Sequence, residues 1–257
     1  MKNSILFLFT ALLITSCSGD KVAYESAMSD STPVGKGGSM ARFAIKGDFL
    51  YTVSNSDLKL FNIEEAANPK YSEIRDVQIG FDIETIFPMD TLLFIGSRNG
   101  MYIYSIAEPR FPTKLCQAIH FRSCDPVVAQ GQYAFVTLNT LASNCGPVPN
   151  NVLEVYDITN PTNPVLKKTM SLKGPTGLGV DGAKLFVCDK GLKVFDITDP
   201  LNPRQIDDLA DIDEVDIRST YDVIPINGLL ILTAKEGLYQ FDYTGDRLKF
   251  ISKIEII

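Results

Sequence analysis

Residues 191–203 read GLKVFDITDPLNP, and residues 152–164 read VLEVYDITNPTNP. Three further stretches align on this pair: LKLFNIEEAANP from 58, MYIYSIAEPRFP from 101 and the degenerate LYQFDYTGD from 238. Their aromatic residues Phe61, Tyr104, Tyr156, Phe195 and Phe241 follow one another at spacings of 43, 52, 39 and 46 residues. Periods of about 40–50 residues belong to propeller blades or to helical arrays.

Local patterning decides between them. Apolar and polar residues alternate with a period of two in stretches such as LKVFDI, and β-branched and aromatic residues dominate, so these are strands. A second strand precedes each motif: FLYTVSN, LLFIGSR, YAFVTLN, KLFVCDK and LLILTAK. The pair is joined by Asn99-Gly100, Lys190-Gly191 or Glu236-Gly237, where glycine supplies the positive φ of a short hairpin. Another strand lies upstream and ends at Lys46-Gly47, Gln130-Gly131, Asp181-Gly182 or Asn227-Gly228. A fourth follows the proline turn, as in LKKTMSL and LKFISKIEI. The fold class is therefore all-β, a β-propeller of about five four-stranded antiparallel blades. Asp157 and Asp196 are expected to accept bonds from nearby backbone donors, and the prolines after them end the ladder. With every strand of the last repeat in place, closure is expected by packing of blade five on blade one.

The GLKVFDITDPLNP motif, with the YAFVTL and LFVCDKG strands before it, resembles the LVIVD repeats of bacterial surface lipoproteins of the Bacteroidetes type. The similarity covers most of residues 40–257 and is strongest in repeats three and four. Repeats one and two depart from it, with Asn62 and Ser105 at the aspartate position. The resemblance implies a propeller fold and an envelope location, and no particular activity. A WD40 assignment is disfavoured because the chain has no tryptophan.

The N-terminus points to the same compartment. Lys2 followed by ILFLFTALLI has the charged and apolar regions of a signal peptide, in a run too short to span a membrane. It ends in ITSC, which resembles a lipobox, so Cys17 is expected to be the lipidated mature N-terminus; an ordinary signal cleaved nearby, with Cys17 an incidental thiol, is the other reading. Several acyl chains on one residue anchor a protein stably. The domain organisation is then a lipoprotein signal peptide over 1–16, a lipid-anchored N-terminus and tether over 17–38, and the propeller over 39–257. KVAYESA within the tether is alternatively an added strand.

Loss of Lys2 takes the formal charge from −7 to −7 − 1 = −8. An acidic domain with no basic run is unsuited to nucleic acid or to anionic lipid surfaces. Blade three carries the one elaboration. From Val136 to Val155 the chain takes 19 residues, against 7 from Val187 to Val194, because NTLASNCGPVPNN is inserted over the channel mouth. Long loops in compact domains are enriched in function, so Asn139, Asn144, Pro147, Asn150 and Asn151 are the binding-loop candidates. Cys145 in the insertion and Cys124 at the start of the same blade fall on one face, and a disulfide between them would pin the loop in an oxidising compartment. Cys116 and Cys188, within strands, are expected to be buried thiols. His120, the single histidine, is read as a packed or surface residue.

Aligning the first strands on their terminal turns (Gly47, Asp90, Gly131, Gly182, Gly228) puts Ala41, Glu84, Asp125, Thr176 and Asp222 at one depth. The carboxylates Glu84, Asp125 and Asp222 suit a hard cation such as Ca²⁺; they equally suit capping of backbone donors at strand starts or hydration in a wet channel. The sequence requires no cofactor, and Ca²⁺ is the one it admits. The leading expectation is a non-enzymatic binding or scaffold module of the bacterial cell envelope, lipid-anchored in the outer membrane, with a protein or glycan partner. The alternative is a lactonase-like, metal-dependent propeller hydrolase whose channel carboxylates hold a cation that polarises a carbonyl. No GxSxG or HExxH motif accompanies it. A structural subunit of an envelope complex is a third reading.

Overall fold

The structure, a computed structural model, describes residues 34–35, 37–71, 76–119, 126–140, 151–209, 211–212, 215–217 and 219–255. These form five antiparallel sheets arranged as a five-bladed β-propeller, with no helix among the described residues. Blade one contains β1 (Val34–Gly35), β2 (Phe43–Lys46), β3 (Phe49–Val53) and β4 (Asp57–Asn62), with β5 (Lys70–Tyr71) and β6 (Val77–Gln78) as two short pieces of its outer edge. Blade two is β7 (Ile83–Met89), β8 (Leu92–Ser97), β9 (Gly100–Ser105) and β10 (Thr113–Ile119). Blade three is β11 (Val127–Gln130), β12 (Tyr133–Leu138), β13 (Val152–Asp157) and β14 (Val165–Ser171). Blade four is β15 (Pro175–Asp181), β16 (Lys184–Asp189), β17 (Leu192–Asp196) and β18 (Arg204–Leu209). A small hairpin of β19 (Asp211–Ile212) and β20 (Val215–Asp216) leads to blade five, which is β21 (Thr220–Ile226), β22 (Leu229–Ala234), β23 (Gly237–Asp242) and β24 (Lys249–Glu255).

The repeated motif does in every blade what its chemistry suggests. Thr159, Thr198 and Thr244 donate their backbone N–H to Asp157, Asp196 and Asp242 at 3.0, 2.9 and 2.8 Å. The two departing repeats keep the same bond with other acceptors: Glu64 N donates to Asn62 Oδ1 at 2.8 Å and Ala107 N to Ser105 Oγ at 3.3 Å. The motif's aromatic residue has a second role. The outer strand shifts register by one residue at Tyr156, Phe195 and Phe241. Such bulges increase local twist, so the aromatic residue sits where each blade curls outward.

The backbone N–H and hydroxyl of Thr198, then the Arg204 guanidinium, hold the half-buried Asp196 carboxyl down to about 2. A depressed carboxyl stabilises the fold above its unfolded pKa, and that contribution disappears as the pH falls through the folded value. Carboxyl NMR titration is expected to place the Asp196 midpoint near 2. Thr198→Val, which keeps the backbone bond and loses the hydroxyl bond of 2.7 Å, should move the midpoint up toward the ordinary value of about 3.9.

Each consecutive pair of blades shares a buried apolar cluster. Tyr51 and Leu58 meet Leu93 and Tyr104 between blades one and two, and Phe94 meets Val136 and Tyr156 between two and three. Val155 meets Leu185 and Phe195 between three and four, and Phe186 meets Leu230 and Phe241 between four and five. The central strands of blades two to four are accordingly buried on both faces. In β3, β4, β22 and β23 buried and half-buried residues alternate instead. Ile45, Leu50 and Phe61 of blade one, and Ile224, Ile231 and Leu238 of blade five, stay half-exposed. Among the described residues no buried apolar cluster joins blade five to blade one. Among the described residues no strand is exchanged between them either. Their contact, however, is a polar one at the channel mouth.

Candidate functional site

β1 and β2 form a hairpin, with Val34 opposite Lys46 and Gly35 opposite Ile45. The first blade thus begins inside the stretch read from sequence as tether. Its turn closes with Ala41 N donating to Gly38 O at 3.0 Å. Ser39, 1% exposed, donates from Oγ to Asp222 Oδ1 at 2.9 Å and accepts from Leu178 N at 2.8 Å. Met40 N donates to Asp222 Oδ2 at 3.1 Å, and Ile86 N donates to Ala41 O at 2.9 Å. One turn therefore bonds to the inner strands of blades two, four and five. Ser39→Ala leaves Leu178 N and one carboxylate oxygen without this partner; an unfolding titration is expected to show a loss of about 1–2 kcal/mol.

Beside this turn lies a cavity of about 380 Å³, lined among others by Met40, Arg42, Glu84, Pro126, Asn139 and Thr176. The Arg42 guanidinium donates to Ile83 O at 3.1 Å and to Asn55 Oδ1 at 3.0 Å. Arg98 Nε donates to Glu84 Oε1 at 3.1 Å. The mouth thus offers a fixed cation, a carboxylate already paired, and the apolar edges of Met40 and Pro126. That suits recognition of a partially polar surface better than acid–base chemistry.

Of the predicted carboxylates, Glu84 and Asp222 do not lie at one depth as the alignment suggested. Ile83 lies opposite Ser97 and Thr85 opposite Gly96; Thr220 lies opposite Ala234 and Asp222 opposite Thr233. Asp222 is therefore equivalent to Thr85, and Tyr221 to Glu84. The offset arises because the turn of blade five begins at Asn227, which has φ 51° ahead of Gly228 at 83°, whereas Asp90 and Gly182 are the first residues of theirs. Burial pushes the Asp222 carboxyl up, while donors from Met40, Ser39 and Val223 act in the opposite direction. With Asp222 accepting those donors and Glu84 bound to Arg98, neither is arranged as a ligand for Ca²⁺. Among the described residues no group of three or more His, Cys, Asp or Glu side chains is placed to hold a metal ion. Asp125 lies outside the described residues, as do Cys17, His120, Cys124, Asn144, Cys145, Pro147 and Asn150.

The base of the insertion is well defined. Residues 139–151 separate β12 from β13, where 98–99 do so in blade two and 235–236 in blade five. Asn139 Nδ2 donates to Pro175 O at 2.6 Å and Asn151 Nδ2 to Lys173 O at 2.7 Å. Thr140 N donates to Asn151 Oδ1 at 3.3 Å. The two outermost loop candidates thus clamp the insertion to the segment leading into blade four. Cys188 is a buried thiol, pushed up by burial, and Cys116 is half-buried on β10. Sequence reasoning missed Ser39 and Arg42. The one signal for the turn was the Gly37-Gly38 pair: a Cβ on Gly38 would collide with the Asp222 carboxylate.

The fold and this mouth define the chain as a five-bladed propeller, and a sequence model of the LVIVD repeat matches residues 148–171, in blade three. No curated protein matches the chain in sequence. Among solved structures, a functionally unknown protein from Desulfotomaculum acetoxidans is 16% identical with a TM-score of 0.58, over 80% of this chain and 68% of that one. AztD from Citrobacter koseri is 12% identical with a TM-score of 0.57, over 85% and 61%. A putative 6-phosphogluconolactonase from Bacteroides fragilis is 10% identical with a TM-score of 0.59, over 83% and 69%. These likenesses establish the fold alone. The chain spans about two thirds of the length of these structures.

Proposed function

We propose that this protein is a lipid-anchored binding module of a bacterial cell envelope, held in the outer membrane through Cys17 and presenting the channel-mouth face to a protein or glycan partner. The observation that carries the reading is the long connection between β12 and β13, residues 139–151, whose base is clamped by Asn139 and Asn151 to Pro175 O and Lys173 O. A loop that served only to join two strands needs two or three residues, as in the other blades. In this reading a Cys124–Cys145 bridge holds the insertion over the mouth, and Asn144, Pro147 and Asn150 are its contact residues.

The decisive experiment captures partners on the mature domain from its own envelope, comparing the native protein with a variant in which the insertion is cut to a two-residue turn. Partners lost from the trimmed variant, with its melting curve preserved, support the reading; an unchanged set of partners refutes it. The anchor is tested separately. Cys17→Ala is expected to move the protein wholly out of the membrane fraction, because one lipidated residue supplies the hydrophobic attachment. Retention of that variant on membranes in high salt would exclude the lipid anchor.

A further inference from the structure

We infer that the groove between the outer strands of blades three and four binds a neutral, hydroxyl-rich ligand, a one- or two-sugar unit of a glycan, through Asp189 and Lys193. Asp189 closes β16 and is wholly buried. Its Oδ1 accepts the backbone N–H groups of Lys173 and Gly174 at 2.9 and 2.6 Å, and no protein donor reaches Oδ2. A buried carboxylate oxygen without a donor is costly to keep. Among the described residues Tyr239 Oη is the one other buried side-chain atom in that state.

The register places the surroundings on one face. Val187 lies opposite Lys193, Lys193 opposite Asp208, and Phe195 opposite Gln205. Since Asp189 alternates with Val187, all of these face blade three. Lys193 is 6% exposed, and its ammonium donates to Asp208 Oδ2 at 2.7 Å; a lysine has three such donors. Met170, Leu172 and Phe195 supply apolar walls. The groove encloses about 530 Å³, within the range of roughly 300–1,000 Å³ for small-molecule sites.

The charge peculiar to this blade is Asp189, whose position holds Ser54, Ser97, Leu138 and Ala234 in the other four blades; at the position of Lys193, blade one has Lys59, blade three Glu154, and blades two and five Tyr102 and Tyr239. The ligand's chemistry follows from the balance of the site. Lys173, Lys193, Asp189 and Asp208 sum to zero formal charge, so the groove has no net preference for an ion. Its orphan acceptor needs a neutral donor. A hydroxyl meets both demands, donating to Asp189 and accepting from Lys193, and a sugar ring presents neighbouring hydroxyls on one side and C–H groups for Phe195 and Met170 on the other. The groove also adjoins the insertion, since Leu172 N donates to Asn151 O at 2.8 Å, but it is separate from the channel cavity and does not depend on what binds there.

Isothermal titration of the mature domain with cellobiose, lactose, maltose and N,N′-diacetylchitobiose tests this directly. At least one is expected to bind saturably. Asp189→Asn, which keeps an oxygen for Lys173 and Gly174, and Lys193→Met should each weaken that binding about tenfold or more, while Lys235→Ala on blade five leaves it unchanged. Lys193→Met keeps the test valid if Asp189→Asn fails to fold. Saturable binding by none of the four, or binding that Lys193→Met leaves intact, overturns the assignment.

Discussion

Gly177→Val should destabilise the domain by about 3 kcal/mol, the upper part of the range for overpacking, although it adds apolar volume to an inner strand. A Cβ at Gly177 would stand 2.6 Å from Asp222 Cα and 2.7 Å from Tyr221 O. Both are main-chain atoms of β21, so no rotamer change relieves the clash and blade five must move outward as a unit. That movement also pulls Asp222 from Ser39 and Met40, the bonds that join the two end blades. Gly179 repeats the arrangement two residues on, with Val223 O at 2.9 Å. Thermal unfolding measures the effect, at about 2–4 °C per kcal/mol for a domain of this size. Gly245→Ala is the control: its nearest neighbour would be Arg247 O at 3.9 Å, and its effect should stay within about 0.5 kcal/mol.

Phe186→Ala should cost about 3–5 kcal/mol in denaturant unfolding, the range for removal of a buried aromatic ring. Phe186 is fully buried on the central strand of blade four, where it packs into the cluster shared with blade five. Its ring meets Tyr243 edge-on at 5.1 Å and 67°. Tyr243 cannot collapse into the space left behind, because its hydroxyl donates to Asp181 Oδ2 at 2.5 Å. A cavity that neighbours cannot fill is the expensive kind. Phe186→Leu, which fills most of the volume, should lose much less.

The elements of this fold were legible in the sequence because each is specified within a few residues. Alternation marks the strands, glycine marks hairpins that need positive φ, and the Asp-Ile-Thr turn is recognisable even where Asn62 or Ser105 replaces the acid. What could not be read depends on neighbours remote in the chain. The bulges at Tyr156, Phe195 and Phe241 arise from pairing with the outer strand, which the sequence does not announce. The Ser39 turn finds its partners at Leu178 and Asp222, on blades four and five. The equivalence of Asp222 with Glu84 failed by one residue because one turn starts at Asn227, and a displacement of one in a strand sends a side chain to the other face. The insertion itself was visible as excess length, while the asparagine clamp at its base was not.

Because every blade is built from one uninterrupted stretch of chain, the molecule is closer to a beaded string curled on itself than to a clasped bracelet. Proteins whose units touch mainly their neighbours gain stability largely unit by unit, and here the Ser39 turn adds bonds to blades four and five. A gene of this kind can therefore gain or shed a whole repeat in a single duplication or deletion, with no strand to be re-threaded and one inter-blade surface added or removed. The half-buried sides of blades one and five are the places where such a change would be joined on, while the insertion in blade three, far from both ends of the string, would pass through it untouched.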